Sequence, residues 1–445
     1  MTREVLDCYG LGRMTRLNIA SGPRSGDQFD GRQAAIILVL MMASQIINHF
    51  DRAVVAVASA DIMRDLGLTL EQYGLLHSAF YSVFAVSGLL VGIFLAPRVR
   101  ARVLVTILVA LWTLAQLPAL ILPSFATLLV SRMILGAAES PSSAAAMAVT
   151  HEWYPAERRN VPSSLIYIGS LFGAIAAPPV LITIVEASGW QGGFLACAIL
   201  SGILFAALLL LGRDPPRVES LEPATIVEPT LDARPKGWFH WADRRIIMIT
   251  VVAFLSYWVL SFSFTWLFPM LHMGWGYGQR EAGWMVSATY FLGTVPLLGL
   301  STLSQKMLTR GHSFRMAVVI PTSACLVITA IFLGITAALP AGEVRLLCLI
   351  LAFALLPTAL IAIPIMVSKV ASEAERSRML MIVFAIESSA GMVAPYVTGL
   401  LIERNGAFGY NLALLSCSGA ALLGGLLVLT LFRERQAGDA SARGV

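Results

Sequence analysis

The chain has 445 residues, of which 57% are hydrophobic and only 13% charged, a balance far more apolar than that of soluble domains. Its net charge is +5, but the basic residues form short clusters between apolar runs, which argues against a nucleic-acid-binding face. One soluble core cannot bury so much apolar surface, so we predict an all-α membrane protein.

Residues 1–32 form a polar, arginine-containing tail without the apolar core and cleavage site of a signal peptide. Apolar segments of about 20 to 27 residues follow, each long enough for one crossing. Their predicted centres lie near residues 46, 84, 112, 138, 175, 201, 258, 293, 327, 355, 391 and 420. We expect twelve transmembrane helices, because only helices satisfy their own backbone groups in lipid.

The distribution of Lys and Arg sets the orientation of these segments. On one side of the membrane, the connections hold only Arg64, Arg280, Arg345 and Arg404, whereas most of the 31 basic residues fall on the side of the two tails. Positive charge stays cytoplasmic. Both termini are therefore expected in the cytoplasm of a multi-pass protein of the bacterial inner membrane.

A proline-rich, charged stretch divides the chain near its midpoint and is predicted to be a cytoplasmic linker. Ala156-Glu157-Arg158 before it recurs as Ala374-Glu375-Arg376 after it, and Ala177-Pro178 recurs as Ala394-Pro395. Each motif is separated from its repeat by nearly the same number of residues. Such a repeat predicts two pseudo-symmetric six-helix bundles. The expected divisions are a tail at 1–32, bundles at 33–212 and 245–432, the linker at 213–244 and a cytoplasmic tail at 433–445.

Four charged residues lie inside the apolar segments. Asp51 and Arg52 are in the first segment, and Arg132 and Glu139 are in the fourth. Because a charge at mid-membrane costs about 2.5 to 3.5 kcal/mol, each is a functional candidate. Arginine matches a carboxylate with two hydrogen bonds, which makes Arg52 and Arg132 candidates for binding an anion. A buried carboxyl group takes up a proton unless a cation holds it charged, so Asp51 and Glu139 are candidate proton carriers.

The spacing within the fourth segment limits how its charges can pair. Arg132 and Glu139 are two helical turns apart, about 10 Å, on one face. They are too far apart to pair directly. Either a substrate or a side chain from the first segment would have to bridge them.

Other polar residues in the apolar segments have competing interpretations. Glu387 is a candidate for proton coupling, or for a hydrogen bond between helices. Tyr257 and Ser261 fall near one face of the seventh segment, as either a binding wall or packing. For His49 and His77 we expect packing rather than proton relay.

The sequence contains no pattern typical of an enzyme active site. Five cysteines are scattered singly without C-x-x-C spacing, so neither a disulfide framework nor a metal site is predicted. No nucleophile motif or paired acid occurs outside the apolar segments. We therefore expect no catalysis and no cofactor.

Several motifs, in this order and spacing, resemble the major facilitator superfamily and, within it, the anion:cation symporter group of sugar-acid, tartrate and phthalate carriers. They are Asn48 to Arg52, Ser78 to Tyr81, Arg132 with Gly136 and Ala138 to Pro141, Trp153 to Pro155 with Glu157-Arg158, and Gly189-Trp190 with Phe194. The resemblance implies the major facilitator fold and proton symport of an organic anion. It also implies roles for Asp51, Glu139 and Arg52, and a place for Tyr81 in the cavity.

The loop between the second and third segments departs from the family pattern. It reads Ala96-Pro97-Arg98-Val99-Arg100-Ala101-Arg102, without the usual aspartate or the glycine before the last arginine. Its three arginines either set topology only or pair with Glu152 or Glu157.

We expect a secondary active transporter that imports an organic carboxylate, an aromatic acid or a sugar acid, with protons by alternating access. Aromatic acids are slightly favoured by Tyr81, Tyr257 and Phe264. We expect it to work as a monomer in the lipid bilayer, without nucleic acid. The alternatives are a proton-driven exporter of a hydrophobic compound and a carrier-like sensor that binds without transport.

Overall fold

The computed structural model describes residues 30–155, 158–215 and 243–431, without the side chains of 373, 374 and 377. Residues 1–29 of the predicted N-terminal tail, the predicted C-terminal tail and most of the predicted linker lie outside these residues. So does Ala156-Glu157 of the repeat. The first described helix begins at Gly31, inside the predicted tail. Within the described ranges, the chain is helical and contains no strand, as the sequence predicted.

Thirteen helices of eight or more residues make up the described part of the chain. They are α1 (Gly31–Val57), α2 (Ser59–Leu66), α3 (Leu70–Leu90), α4 (Ala101–Ile121), α5 (Phe125–Glu139), α6 (Ser142–Trp153), α7 (Asn160–Leu211), α8 (Arg244–Thr265), α9 (Gln279–Thr309), α10 (Ile320–Ala338), α11 (Glu343–Val370), α12 (Glu373–Asn405) and α13 (Ala407–Thr430).

Ten helical stretches of the described chain are long and apolar enough to cross a membrane. One of them, α7, has 52 residues and is two helices, because Gly189 adopts a non-helical backbone with φ 73° and ψ 175°. Only glycine adopts such dihedrals without strain. A further pair, α5 and α6, follows end to end at Ser140-Pro141. All the predicted segment centres fall inside these helices.

Two pairs of helices join the halves of the chain, α3 with α12 and α7 with α9. In the first pair, a Cβ on Gly74 would lie 2.5 Å from the carbonyl oxygen of Pro395. In the second pair, a Cβ on Gly283 would meet the side chain of Ile182, beside Pro178. The two prolines of the sequence repeat therefore lie at corresponding close contacts between the halves.

Hydrogen bonds accompany both contacts. The backbone N–H of Tyr396 donates to Ser78 Oγ at 3.1 Å, and Ser287 Oγ donates to the carbonyl of Ile175 at 2.7 Å. An ion pair at 2.6 Å between Arg280 and Glu186 lies one turn beyond the second contact. The halves are thus held together at the end of the bundle where α3 and α9 begin.

The opposite end of the bundle holds a cavity with space of about 430 Å³. Helices α3, α4, α6 and α12 line it, with Arg100 and Glu152 at its margin and Phe384 on the α12 side. The ring of Phe384 lies 6.3 Å from that of Phe84. The protein is therefore closed at one end and hollow toward the other.

Candidate functional site

Helices α1 and α5 bring two of the predicted charges together. Arg52 Nε donates to Glu139 Oε2 at 2.5 Å, and the carboxylate side chain has no exposed surface while that of Arg52 is 18% exposed. A side chain from α1 thus pairs with Glu139, but among the described residues it does not bridge Glu139 to Arg132, which bonds to Gln116 and to the backbone of Asp51. The other carboxylate oxygen, Oε1, is buried without a hydrogen-bond partner among the described residues.

Close packing of α5 on α3 fixes this ion pair. A Cβ on Gly136, less than one turn before Glu139, would meet the carbonyl oxygen of Phe80. The guanidinium of Arg52 lies over the rings of Phe80 and Phe84, 5.6 and 5.1 Å from their centroids. Such cation–π contacts stabilise a desolvated guanidinium, so the two rings hold the arginine fork in one orientation.

Asp51 and Arg132 belong to a second network, centred on Gln116 of α4. Gln116 Nε2 donates to Asp51 Oδ1 at 2.9 Å, while Arg132 Nη2 donates to Gln116 Oε1 at 3.3 Å. Arg132 Nη1 donates to the backbone carbonyl of Asp51 at 3.0 Å. Within the described ranges, Asp51 Oδ2 and Arg132 Nε are buried without partners. A neutral amide thus separates the acid from the base.

Both arginines line one small cavity. Its lining consists of Arg52, His77, Phe80, Tyr81, Arg132 and Phe264. A neighbouring cavity with space of about 40 Å³ shares Arg52 and Phe264 with it. Its polar lining comes from His49, Ser263 and Tyr290. Two arginines therefore line connected space at the centre of the bundle, with hydroxyl groups beyond Arg52.

An aromatic pair closes the site toward the second half. The ring of Tyr81 packs edge-on against that of Tyr257, with centroids 5.8 Å apart. On its other side, Tyr81 contacts Gly391 of α12, where a Cβ would collide with the ring. Glu387 lies one turn before Gly391 and is 9% exposed. In the described part of the chain, no ion pair involves this carboxyl group.

Ser261 lies outside both cavity linings. Its hydroxyl donates to the carbonyl of Trp258 at 3.0 Å, within its own helix. Ser263, two residues later, lies in the lining, 3.1 Å from the hydroxyl of Tyr290. The serine of α8 that lines the cavity is therefore Ser263 and not the predicted Ser261.

Besides Ser263, three lining residues with polar side chains were not predicted to be site residues. His49 Nδ1 lies 3.1 Å from the carbonyl of Gln45, so this nitrogen carries the proton and Nε2 is a free acceptor. His77 Nε2 is buried without a partner among the described residues. Both histidines, expected to be packing residues, line the cavities.

The third missed residue, Tyr290, had a signal in the sequence. Gly74 to Tyr81 and Gly283 to Tyr290 share the pattern G-x-x-x-S-A-x-Y. This second internal repeat places Tyr290 at the position in α9 that Tyr81 has in α3. A systematic search for repeats would have found it.

The arginines of the loop after α3 have a different partner from those predicted. Asp214, after the end of α7, accepts from Arg100 Nη1 at 2.6 Å and from Arg102 Nε at 2.8 Å. The prediction of Glu152 as the partner is wrong, since the beginning of α4 packs beside the end of α7; Glu157 lies outside the described residues. Hydrogen bonds from Arg102 and Arg100 hold the pKa of Asp214 below its ordinary value.

Known proteins resemble this chain over most of its length. A family model described as Major Facilitator Superfamily matches residues 41–395. The hexuronate transporter of Bacillus subtilis (strain 168) is 25% identical over 420 residues, covering 91% of this chain and 96% of that protein. A probable sulfoacetate transporter of Cupriavidus necator is 28% identical over 397 residues, covering 84% of this chain and 88% of that protein.

The fold also resembles solved structures. A bacterial homolog to the human lysosomal transporter Spinster, in an inward-facing and occupied conformation, has a TM-score of 0.75 and 16% identity. The match covers 91% of this chain and 97% of that one. At this level of identity, the likeness concerns the fold alone.

Proposed function

Because the chain belongs to the major facilitator superfamily of membrane transporters, we propose that it imports an organic carboxylate with protons by alternating access. The observation that carries the proposal is the cavity lined by both Arg52 and Arg132. Two arginines that line one buried space can bind an anion once the carboxyl groups beside them, Glu139 and Asp51, take up protons. The hexuronate and sulfoacetate transporters named above carry organic acids, which supports the same substrate class.

The proposal includes a topology of twelve crossings with both termini cytoplasmic. The ten membrane-length stretches become eleven when α7 is divided at Gly189, and α5 with α6 supplies the twelfth. The predominance of Lys and Arg on the side of the tails supports this orientation. The bundles then comprise residues 33–212 and 245–432. The closed end faces outward, and the large cavity beside Glu152 opens to the cytoplasm.

In this scheme the carboxylate of the substrate binds the terminal nitrogens of Arg52. Its Nε is engaged by Glu139, whereas the two Nη groups remain for a bidentate contact. The rings of Phe80 and Phe84 keep the guanidinium plane in place. Arg132 adds a second positive charge on the other side of the cavity.

Proton coupling follows from competition for Arg52. An arriving carboxylate shares the guanidinium with Glu139, which weakens the hold on the buried acid and favours its protonation. Asp51 is the second proton carrier, since a neutral amide donates to its carboxylate and, in the described part of the chain, it forms no ion pair. Protonation keeps the loaded site close to neutral. Any net positive charge that enters gains about 2.3 kcal/mol per 100 mV of membrane potential.

The polar lining bears on the choice between aromatic and sugar acids. His49 Nε2 accepts a hydrogen bond, and the hydroxyls of Ser263 and Tyr290 can donate or accept. These groups suit the hydroxyls of a sugar acid, whereas the sequence slightly favoured aromatic acids. We therefore place the hydroxylated end of the substrate in the cavity beside Tyr290, and its carboxylate at Arg52.

Uptake into proteoliposomes tests the function. With an acidic exterior, a panel of labelled carboxylates should include one that accumulates inside. Glu139→Gln and Asp51→Asn should keep exchange between equally loaded sides but lose accumulation. If both variants still accumulate substrate at the parental rate, proton coupling lies elsewhere. If no carboxylate enters and a hydrophobic compound leaves in exchange for protons, the exporter alternative is correct; binding without any flux would indicate the sensor.

A further inference from the structure

A groove lies on the surface of the second half, away from the central cavities. It has space of about 310 Å³ and runs between the end of α9 and the start of α10, with α11 as its floor. Its lining includes Ser301, Ser304 and Gln305 of α9, Pro321 of α10, and Thr358 and Ile365 of α11. We call it the α9–α10 groove.

The rim of the groove is apolar and exposed. Two apolar residues of its lining are exposed, Leu308 by 40% and Ile365 by 43%. In a membrane protein, exposed side chains of this kind lie against the hydrocarbon chains of lipids. The groove therefore opens toward the bilayer.

Polar side chains line the groove despite this setting, and two of them, Ser301 and Gln305, are exposed. Within the described chain, no hydrogen bond involves the side chains of Ser301, Ser304 or Gln305. A polar group facing hydrocarbon without a partner is costly. A lipid with ester and hydroxyl oxygens would supply partners where a bare acyl chain would not.

The charged residues at the cytoplasmic end of the groove are all basic. No Asp or Glu occurs between Glu281 and Glu343. That stretch contains Lys306, Arg310 and Arg315. In the described residues none of these three cations has a carboxylate partner.

The corresponding loop of the first half is different. There, Arg100 and Arg102 are both paired with Asp214. Lys369, from the end of α11, adds a fourth positive charge near the groove, with Nζ 5.8 Å from the centre of the Phe314 ring. The second half therefore presents unpaired positive charge where the first half presents a neutralised cluster.

We propose that the α9–α10 groove binds an anionic phospholipid of the cytoplasmic leaflet. Its phosphate contacts Lys306, Arg310 and Arg315, and its glycerol and ester oxygens contact Ser301, Ser304 and Gln305. One acyl chain follows the exposed apolar rim. Clusters of basic residues at the cytoplasmic surface attract anionic headgroups in this way.

Native mass spectrometry of the full chain in detergent tests this site with phosphatidylglycerol as the probe and phosphatidylcholine as the neutral comparison. The triple variant Lys306→Gln, Arg310→Gln, Arg315→Gln should bind phosphatidylglycerol about 100-fold more weakly. A charge-matched control, Arg13→Gln, Arg16→Gln, Arg24→Gln, should bind it as the parent does. Equal binding by the two triple variants, or equal binding of the two lipids by the parent, overturns the proposal.

A second variant separates the groove from surface charge. Ser301→Phe fills the groove and leaves every cation in place, and it should lower the affinity for phosphatidylglycerol about tenfold. If the affinity is unchanged, charge alone holds the lipid and the groove is not its site. Displacement of the lipid by soluble glycerol phosphate at equal concentration would assign the cations to a soluble anion, which also refutes the proposal.

Discussion

Replacing Arg52 by lysine tests the proposed anion site most directly, because the positive charge stays while the planar guanidinium with its two terminal nitrogens is lost. The Nε of Arg52 contacts Glu139 at 2.5 Å, which leaves the two Nη groups for a substrate carboxylate. One ammonium cannot hold Glu139 and make both of those bonds. A hydrogen bond to a charged group contributes about 1.5 to 3 kcal/mol, so the loss of one weakens binding about 10- to 150-fold.

The assay is a titration of the transported carboxylate in detergent, by calorimetry or thermal stabilisation. Arg345→Lys is the matched control. Arg345 is also buried, with its guanidinium 4.1 Å from the centre of the Trp275 ring and Nη2 donating to Asn411 at 2.6 Å. That variant should melt at a lower temperature and bind with parental affinity. Parental affinity in Arg52→Lys, or equal losses in both variants, would refute the assignment of Arg52.

Three further changes have distinct expected outcomes. Gly391→Ala should lower the free energy of unfolding by about 1 to 3 kcal/mol, because the new Cβ meets the Tyr81 ring; thermal melting measures this. Asp214→Asn should cost up to about 1 kcal/mol at neutral pH. Because its folded pKa is lowered, that difference is complete above the ordinary value of 3.8 and vanishes as pH falls through the folded pKa. Glu387→Gln should reduce proton-driven accumulation without stopping exchange, measured in proteoliposomes.

Each of these changes has a contrary outcome. Gly419→Ala is the control for Gly391, since nothing lies within 4 Å of a Cβ there; an equal loss in both would deny the Tyr81 contact. Parallel pH curves for Asp214→Asn and the parent would exclude the two arginine bonds. Unchanged accumulation with lower thermal stability in Glu387→Gln would assign that residue to an interhelical hydrogen bond.

The helical framework could be predicted because lipid leaves few choices. An apolar run of about 20 residues in a membrane protein becomes a helix, whatever its propensities. The boundary at Gly189-Trp190 was also visible, as part of a motif. The interruption of the fourth segment at Ser140-Pro141 was not predicted, because hydropathy does not report backbone geometry.

The candidate site could be predicted in its residues but not in its pairings. Helical spacing showed that Arg132 could not reach Glu139, yet the choice of Arg52 as the partner depends on how α1 is rotated against α5. Periodicity also cannot distinguish a buried packing residue from one that lines a cavity, since both lie on the inward face of a helix. His49 was therefore assigned to packing, although it lines the site.

The paired contacts of Gly74 with Pro395 and of Gly283 with Ile182 make the closed end cooperative. Both lie at the same end of the bundle, so the halves cannot separate there while either contact remains intact. Separation of the halves at this end would break both contacts together, along with the hydrogen bonds and the ion pair beside them, and its free-energy cost would include all of these. The protein should therefore switch between two discrete shapes rather than widen gradually, and weakening one contact should change how often it opens, not how far.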